Sequence, residues 1–526
     1  MLKWALIGLL AVAVIVVGSI LALPWLLDTP AIQAYIQQAA GHALGRPVKF
    51  DSLSVTALPL PTVRLRGLQV AEDPAFGSAP VMTVAEGRMR IRLWSLFQGR
   101  VDLANLLLQE PRVHVVEDAA GHLNIATLGD SGGPGPAAPP RVGKERPAAP
   151  ATAAVPLTRI RIANGTVDYD TPGGRVIVDR INLTVTQSAG GLRAVGEAQG
   201  PGGVKLTVAD AVVTLASGRP VGDAQMKATI DVESRDVSAA VSAVGMGTGV
   251  SGPLKGRLEL AGTMNRLTAS GTLGFDRLTL SRRDPRCRDT RPRTLALVDV
   301  RMPLLYAPPQ LESQLVQARV AKGTATFRLT VGPGPPRVVT LRDITVKGMQ
   351  LEPVLVDYLC QRNAVTGPLD LTGQSSLQLP GMLPTMSGSG RLSVGPGRVV
   401  GPDLPSALGQ ALALTDLVSA TLDRKAARPG PGSPLSFDSI TASYTIADGV
   451  AHTDDLVYIA REIRVTGSGS YTLTDGRTAM DVTVTQGSNR VKARLTGAAG
   501  SLSIVPTDVR VKEPKDLRKA LDRLLR

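Results

Sequence analysis

In RIRIANGTVDY (159–169) arginine and isoleucine alternate residue by residue, and in INLTVT (181–186) aliphatic and polar side chains do the same. Successive side chains of an extended chain point to opposite faces, so each such run has one apolar and one polar face. Val- and Thr-rich runs of this kind, punctuated by Gly and Pro, recur along the chain and restrict it to many short strands. Asn164-Gly165 has the composition of a hairpin turn. With aromatic residues at 3%, burial must rest on Val, Leu, Ile and Ala, and base-stacking platforms for nucleic acid are disfavoured. Few long amphipathic helices are available to cover so many apolar strand faces. Two arrangements remain: a sandwich or closed barrel, or a curled sheet whose apolar interior holds lipid.

Location follows from the N-terminus. Trp4 to Leu23 carries no charge, with Leu10 and Val16 along it, and Asp28 is the first charge after it. Such a stretch, at about 1.5 Å per residue, spans the roughly 30 Å hydrocarbon core of a bilayer. A cleaved signal peptide is the alternative, but its apolar core is usually about 7–15 residues. Residues 1–28 therefore read as a transmembrane anchor. Lys3 before the span places Met1 in the cytoplasm and the rest outside.

Two cysteines, Cys287 in a charged loop and Cys360 in a predicted helix, are read as unpaired, so that stability comes from burial. The formal charge of +14 is clustered. Arg88, Arg90 and Arg92 alternate with Met89, Ile91 and Leu93, and SRRDPRCRDTRPR (281–293) is a basic loop. Solvated surface and contact with anionic lipid head groups are both compatible with this charge, whereas nucleic acid is a poor partner outside the cytoplasm.

Punctuation divides the chain further. Residues 29–128 form a first β region, 129–156 a Pro/Ala/Gly linker, 157–345 a middle β region, 346–512 a C-terminal β domain and 513–526 a basic amphipathic helix. A shorter loop, RKAARPGPGSPL, occupies 424–435. Within the body there is an echo: VSGPLKGRLELAG (250–262) and VTGPLDLTGQSSLQL (365–379) share V-[ST]-G-P-L before an alternating strand. Each follows a strand and a short predicted helix, DVSAAVSAV (236–244) or LEPVLVDYL (351–359). Repetition of one supersecondary unit suggests a sheet that grows by stacking. In the terminal helix Leu517, Leu521, Leu524 and Leu525 share one face, suited either to capping the last strand or to docking on a membrane or protein.

Two blocks resemble a known family. RPVKFDSLSVTALPLPTVRLRGLQVAEDPAF (46–76), with LLLQEPRVHVVEDAAGHLNIATL (106–128), looks like the opening of the AsmA family: anchor, short helix, "R-P-V" strand, "L-x-G-L-x-V-x-x-D-P" strand and "G-x-x-N" hairpin. Residues 386–412 and 436–473 are similar to that family's C-terminal domain. The resemblance implies a bacterial inner-membrane protein facing the periplasm. Its fold would be mainly β, an elongated, curled antiparallel sheet with a few short helices. Its groove would help phospholipid reach the outer membrane, with an envelope protein as a further partner. It implies no catalytic residues and no cofactor. The groove candidates are Met89, Ile91, Leu93, Val113 and Val115.

The chemistry-bearing residues offer little else. His114 and His122 flank Glu117 and Asp118, but their spacing is not that of a metal site. No G-x-S-x-G elbow or phosphate loop occurs, and the sequons at Asn164 and Asn182 are explained by turn and strand use. Three function classes follow: a lipid-conducting groove, a scaffold for outer-membrane protein assembly, and an exported enzyme, the last with no motif behind it.

Overall fold

The computed structural model describes residues 30–510, apart from 57–61, 92–102, 119–120, 130–158, 401–434 and several turn segments of one to six residues. Among the described residues the chain is mostly strand. Twenty-five strands are hydrogen-bonded in one sheet and three short ones in another. Packing separates two units: residues 1–234 with 255–271, and 235–254 with 272–526.

The first unit opens with helix α1 (Pro30–Leu44) and strands β1 (Val48–Lys49), β2 (Ser52–Thr56), β3 (Thr62–Val70), β4 (Met82–Ile91) and β5 (Leu103–Val116). It continues with β6 (Arg159–Thr171), β7 (Gly174–Ser188), β8 (Gly191–Gln199), β9 (Lys205–Thr214) and β10 (Gln225–Ser234). From β2 to β10 each strand pairs with the next. The predicted antiparallel order has one exception, since β5 and β6 run parallel. A parallel pair needs a crossover between its strands, and residues 117–158, which include the predicted linker, supply that length.

Chain order then runs through β11 (Val250–Ser251), β12 (Leu254–Thr263) and β13 (Arg266–Arg282), where the division of units falls. The second unit goes on with β14 (Arg293–Ala307), β15 (Gln310–Val320), β16 (Gly323–Val331) and β17 (Arg337–Gln350). Next come β18 (Ala364–Val365), β19 (Pro368–Leu379), β20 (Ser387–Val394), β21 (Gly397–Val400), β22 (Leu435–Phe437) and β23 (Ser439–Ala447). The last are β24 (Val450–Ala460), β25 (Ile463–Thr472), β26 (Thr478–Gln486), β27 (Asn489–Ala498) and β28 (Ser501–Arg510). The small sheet is β18, β21 and β22.

The sequence echo corresponds to a repeated structure. One copy has helix α2 (Ser238–Ala243), β11 and β12; the other has a helical turn at Glu352–Tyr358, β18 and β19. In both, the backbone N–H at the helix entrance donates to the carbonyl of the equivalent glycine: Val237 to Gly252, 3.0 Å, and Leu351 to Gly367, 3.0 Å. Both glycines have positive φ (137° and 122°).

Asn164-Gly165 is not a turn, contrary to its composition. Both residues lie inside β6, where Asn164 has φ 55° and the register with β7 slips. It is a bulge. The apolar positions change phase there, from Ile160 and Ile162 to Val167 and Tyr169. An extra residue in the strand absorbs that change and keeps the aliphatics on one face. Asp299 in β14 (φ 52°) and Asp343 in β17 (φ 52°) mark the same event.

The two cysteines, read from sequence as unpaired, are joined. Cys287 and Cys360 form a disulfide with Cα atoms 5.3 Å apart, across 73 residues of chain. The helical turn at 352–358 packs on β14, and Arg282 lies over the Tyr358 ring at 5.8 Å, bringing Cys360 to the loop before β14. That proximity is tertiary, so residue spacing did not reveal it.

Candidate functional site

In the first unit the register lines up two unbroken rungs. One runs Val63, Met89, Leu106, Ile160, Val185, Ala194, Ala211 and Ala228. The next runs Leu53, Leu65, Gly87, Leu108, Ile162, Leu183, Gly196, Val208 and Ile230. Every position is aliphatic, Met or Gly. The alternation in nine separate strands therefore converges on one continuous apolar face.

Burial shows how that face is packed. Val63, Leu65, Met89, Leu106, Leu108, Ile160, Ile162, Leu183 and Val185 are all half-buried. In a sandwich a second apolar layer would bury them completely, as happens at Val70 (1%) and Val81 (0%), where Ala40, Leu44 and Ile125 pack on top. Among the described residues no second apolar layer buries this face as a closed sandwich would.

The second unit repeats the pattern. Met349, Leu369, Val394, Ile440, Tyr458, Val465, Val484, Val491 and Val509 form one rung. Ala318, Ala325, Val346, Leu371, Leu392 and Ala442 form part of the next. Here a section is covered: Val399 and Phe437 of the small sheet, with Leu351, join Leu369 and Val394 in a buried cluster. Tyr444 interrupts the lining elsewhere. Its ring lies across Gly390 and Gly373, where any side chain would collide with the phenol. Burial pushes its hydroxyl pKa up, which keeps it neutral.

Of the groove candidates, Met89 lies in the open rung. Val113 pairs with Met82 and Val167 beyond the bulge and is half-buried, and Val115 is buried. Ile91 ends β4, but its side chain is outside the described residues, as is the whole of Leu93. Trp4, Leu10, Val16 and Leu23 of the anchor, and Leu517, Leu521, Leu524 and Leu525 of the terminal helix, also lie outside them. No described helix is long and apolar enough to cross a membrane. His122 is exposed, its Nδ1 3.1 Å from Asp118 Oδ2, and among the described residues no three His, Cys, Asp or Glu are gathered so as to hold a metal ion. The lining residues missed from sequence, such as Leu106, Ile160 and Leu183, carried the right alternation but no sign that their strands are neighbours.

The motifs that carried the family resemblance meet in one buried network. Arg46 of "R-P-V" donates from Nη1 to Glu72 Oε1 (2.8 Å) and from Nη2 to the Asn124 carbonyl (2.6 Å). Asn124 of "G-x-x-N" donates to Glu72 Oε2 (2.6 Å) and to the His114 carbonyl (2.8 Å), and accepts from the Val116 N–H (2.9 Å). The glycine of "L-x-G-L", Gly67, has the Asp51 carboxylate where a Cβ would stand. Three segments far apart in sequence are thereby pinned to β3 and β5.

The AsmA family model matches residues 1–259, the stretch that holds these motifs. By this match the chain belongs to the AsmA family. No curated protein and no solved structure matches it.

Proposed function

We propose that this AsmA family protein is anchored in the bacterial inner membrane and carries phospholipid towards the outer membrane along its apolar face, in the periplasm. The observation that carries the reading is the pair of charge-free rungs from β3 to β10, most of whose larger aliphatic side chains are half-buried with no second layer above them among the described residues. Such a surface needs an apolar occupant, and acyl chains match its lack of polar groups. The disulfide supports an exported, oxidising location. No catalysis is proposed, and the partners are phospholipids, the inner membrane and an envelope protein. The covered section around Val399 and Phe437 favours the second reading locally, a scaffold for outer-membrane assembly.

A photo-crosslinking residue at Leu106 of the full chain in cells tests the choice, with Leu107, on the opposite face, as its control. Lipid adducts at 106 and few at 107 support conduction. Protein adducts at 106 support the scaffold. Equal lipid labelling at both positions, or none, refutes the groove.

A further inference from the structure

The face opposite the apolar rungs carries its own feature in the first unit. Arg64 and Arg88 stand directly opposite each other on β3 and β4. Arg90 is opposite Asn105, which in turn is opposite Arg159, and Arg161 is two positions along β6. These five arginines and Asn105, with Thr62 and Thr184 among their neighbours, line a cavity of about 400 Å³.

Its electrostatics are unbalanced. Among the described residues one acid, Glu86, pairs with the group, accepting from Arg88 Nε at 2.7 Å. That hydrogen bond holds the Glu86 carboxyl below its usual range, helped by the charges of Arg88, Arg66 and Arg64. Arg64 Nε is buried without a hydrogen-bond partner. Like charges facing each other across a strand pair are destabilising, and a buried donor without an acceptor is costly. Several other arginines are paired across strands with acids, as in Arg257–Asp231 and Arg494–Asp481. Among the described residues, five arginines here share one acid, Glu86.

We infer that this cavity is a binding site for a phosphate-bearing anion. Guanidinium groups arrive from three strands, and the oxygens of a tetrahedral phosphate accept in three dimensions, whereas a carboxylate's lone pairs lie in one plane. Thr62, Asn105 and Thr184 add neutral hydrogen-bonding groups suited to the ester oxygens or hydroxyls next to a phosphate. The site is on the other side of the sheet from the apolar face, so it does not hold the head group of a lipid lying there and does not depend on the conduction reading.

The full chain in detergent is titrated with pyrophosphate by calorimetry, and with micelles doped with phosphatidylglycerol or phosphatidylcholine. The Arg88→Gln/Arg159→Gln variant is compared with Arg328→Gln/Arg342→Gln, which removes the same charge in the second unit. Binding by the native chain that weakens on the order of tenfold or more in the first variant and stays unchanged in the second supports the site. Pyrophosphate binding assigns a soluble ligand, and response to phosphatidylglycerol micelles alone assigns a lipid head group. Tm is measured for both variants, and binding lost by a first variant that melts within a few degrees of the native chain is not lost fold. No binding in either arm, or equal weakening in both variants, overturns the inference.

Discussion

Arg46 and Glu72 are almost without solvent contact, their side chains 5% and 2% exposed. Burying such a pair is tolerable because its polar atoms find partners: Arg46 also donates to Thr127 Oγ1 at 2.6 Å, and Glu72 accepts from the Asp73 N–H at 2.8 Å. Removing one member leaves an uncompensated buried charge, at a cost of about 3–5 kcal/mol. Arg46→Ala therefore lowers stability by that order in chemical denaturation, and far more than Arg193→Ala, whose pair with Asp210 is exposed. Equal effects would place the network outside the folding energetics. Asp236 is a second residue with a directional consequence. Its carboxylate accepts from the backbone N–H groups of Gly252 (3.0 Å) and Ser238 (3.1 Å), in that order of effect, and its pKa is lowered. A carboxyl with a depressed folded-state pKa stabilises fully above its unfolded value and loses that contribution as pH falls through the folded one. The Tm gap between the native chain and Asp236→Ala is thus constant at neutral pH and closes in acid. A gap that stays constant through the whole acid range would assign the effect to packing.

At the scale of the element, strands were legible and their connections were not. The alternation in RIRIANGTVDY marks a strand because it reflects local geometry. That β6 lies parallel to β5, or that Leu106 stands between Met89 and Ile160, is decided by pairing across a long crossover, which leaves no mark in either strand. Asn164-Gly165 shows the opposite failure: its tolerance of positive φ was legible, but a turn and a bulge ask the same of the chain. The disulfide and the gathering of Arg64, Arg88 and Arg159 were hidden for the same reason, being products of register. The buried network was half legible, since the resemblance singled out its residues without their contacts. In the repeated unit Gly252 tests the element. A Cβ there would stand 2.2 Å from the Arg277 carbonyl oxygen, and φ is 137°. Gly252→Ala loses about 1–3 kcal/mol from strain, and the collision adds to it. Gly77→Ala, also at positive φ but with open space around it, carries the strain without the collision. A smaller loss at Gly252 than at Gly77 would refute the account.

At the scale of the whole molecule, the disulfide and the exposed apolar face pull in opposite directions. Closing a 73-residue loop contributes on the order of 4 kcal/mol through the unfolded chain, so Cys287→Ser with Cys360→Ser lowers Tm without reducing agent and leaves it insensitive to reductant. The apolar face is a liability unless occupied, and its character separates function from folding. Val70 and Ile160 are both aliphatic strand residues of the first unit, but Val70 is 1% exposed beneath other side chains and Ile160 is half-buried in the open rung. A carboxylate at Val70 must give up its hydration, at a cost of several kcal/mol or more. One at Ile160 keeps water on its open side while placing a charge where acyl chains would lie. Val70→Asp therefore fails to accumulate, whereas Ile160→Asp is expressed, melts within a few degrees of the native chain and loses the lipid adducts formed from Leu106. If Ile160→Asp is degraded as completely as Val70→Asp, the face is packed rather than open, and conduction along it is refuted. If it folds and its adducts are unchanged, the lipid does not run along this rung.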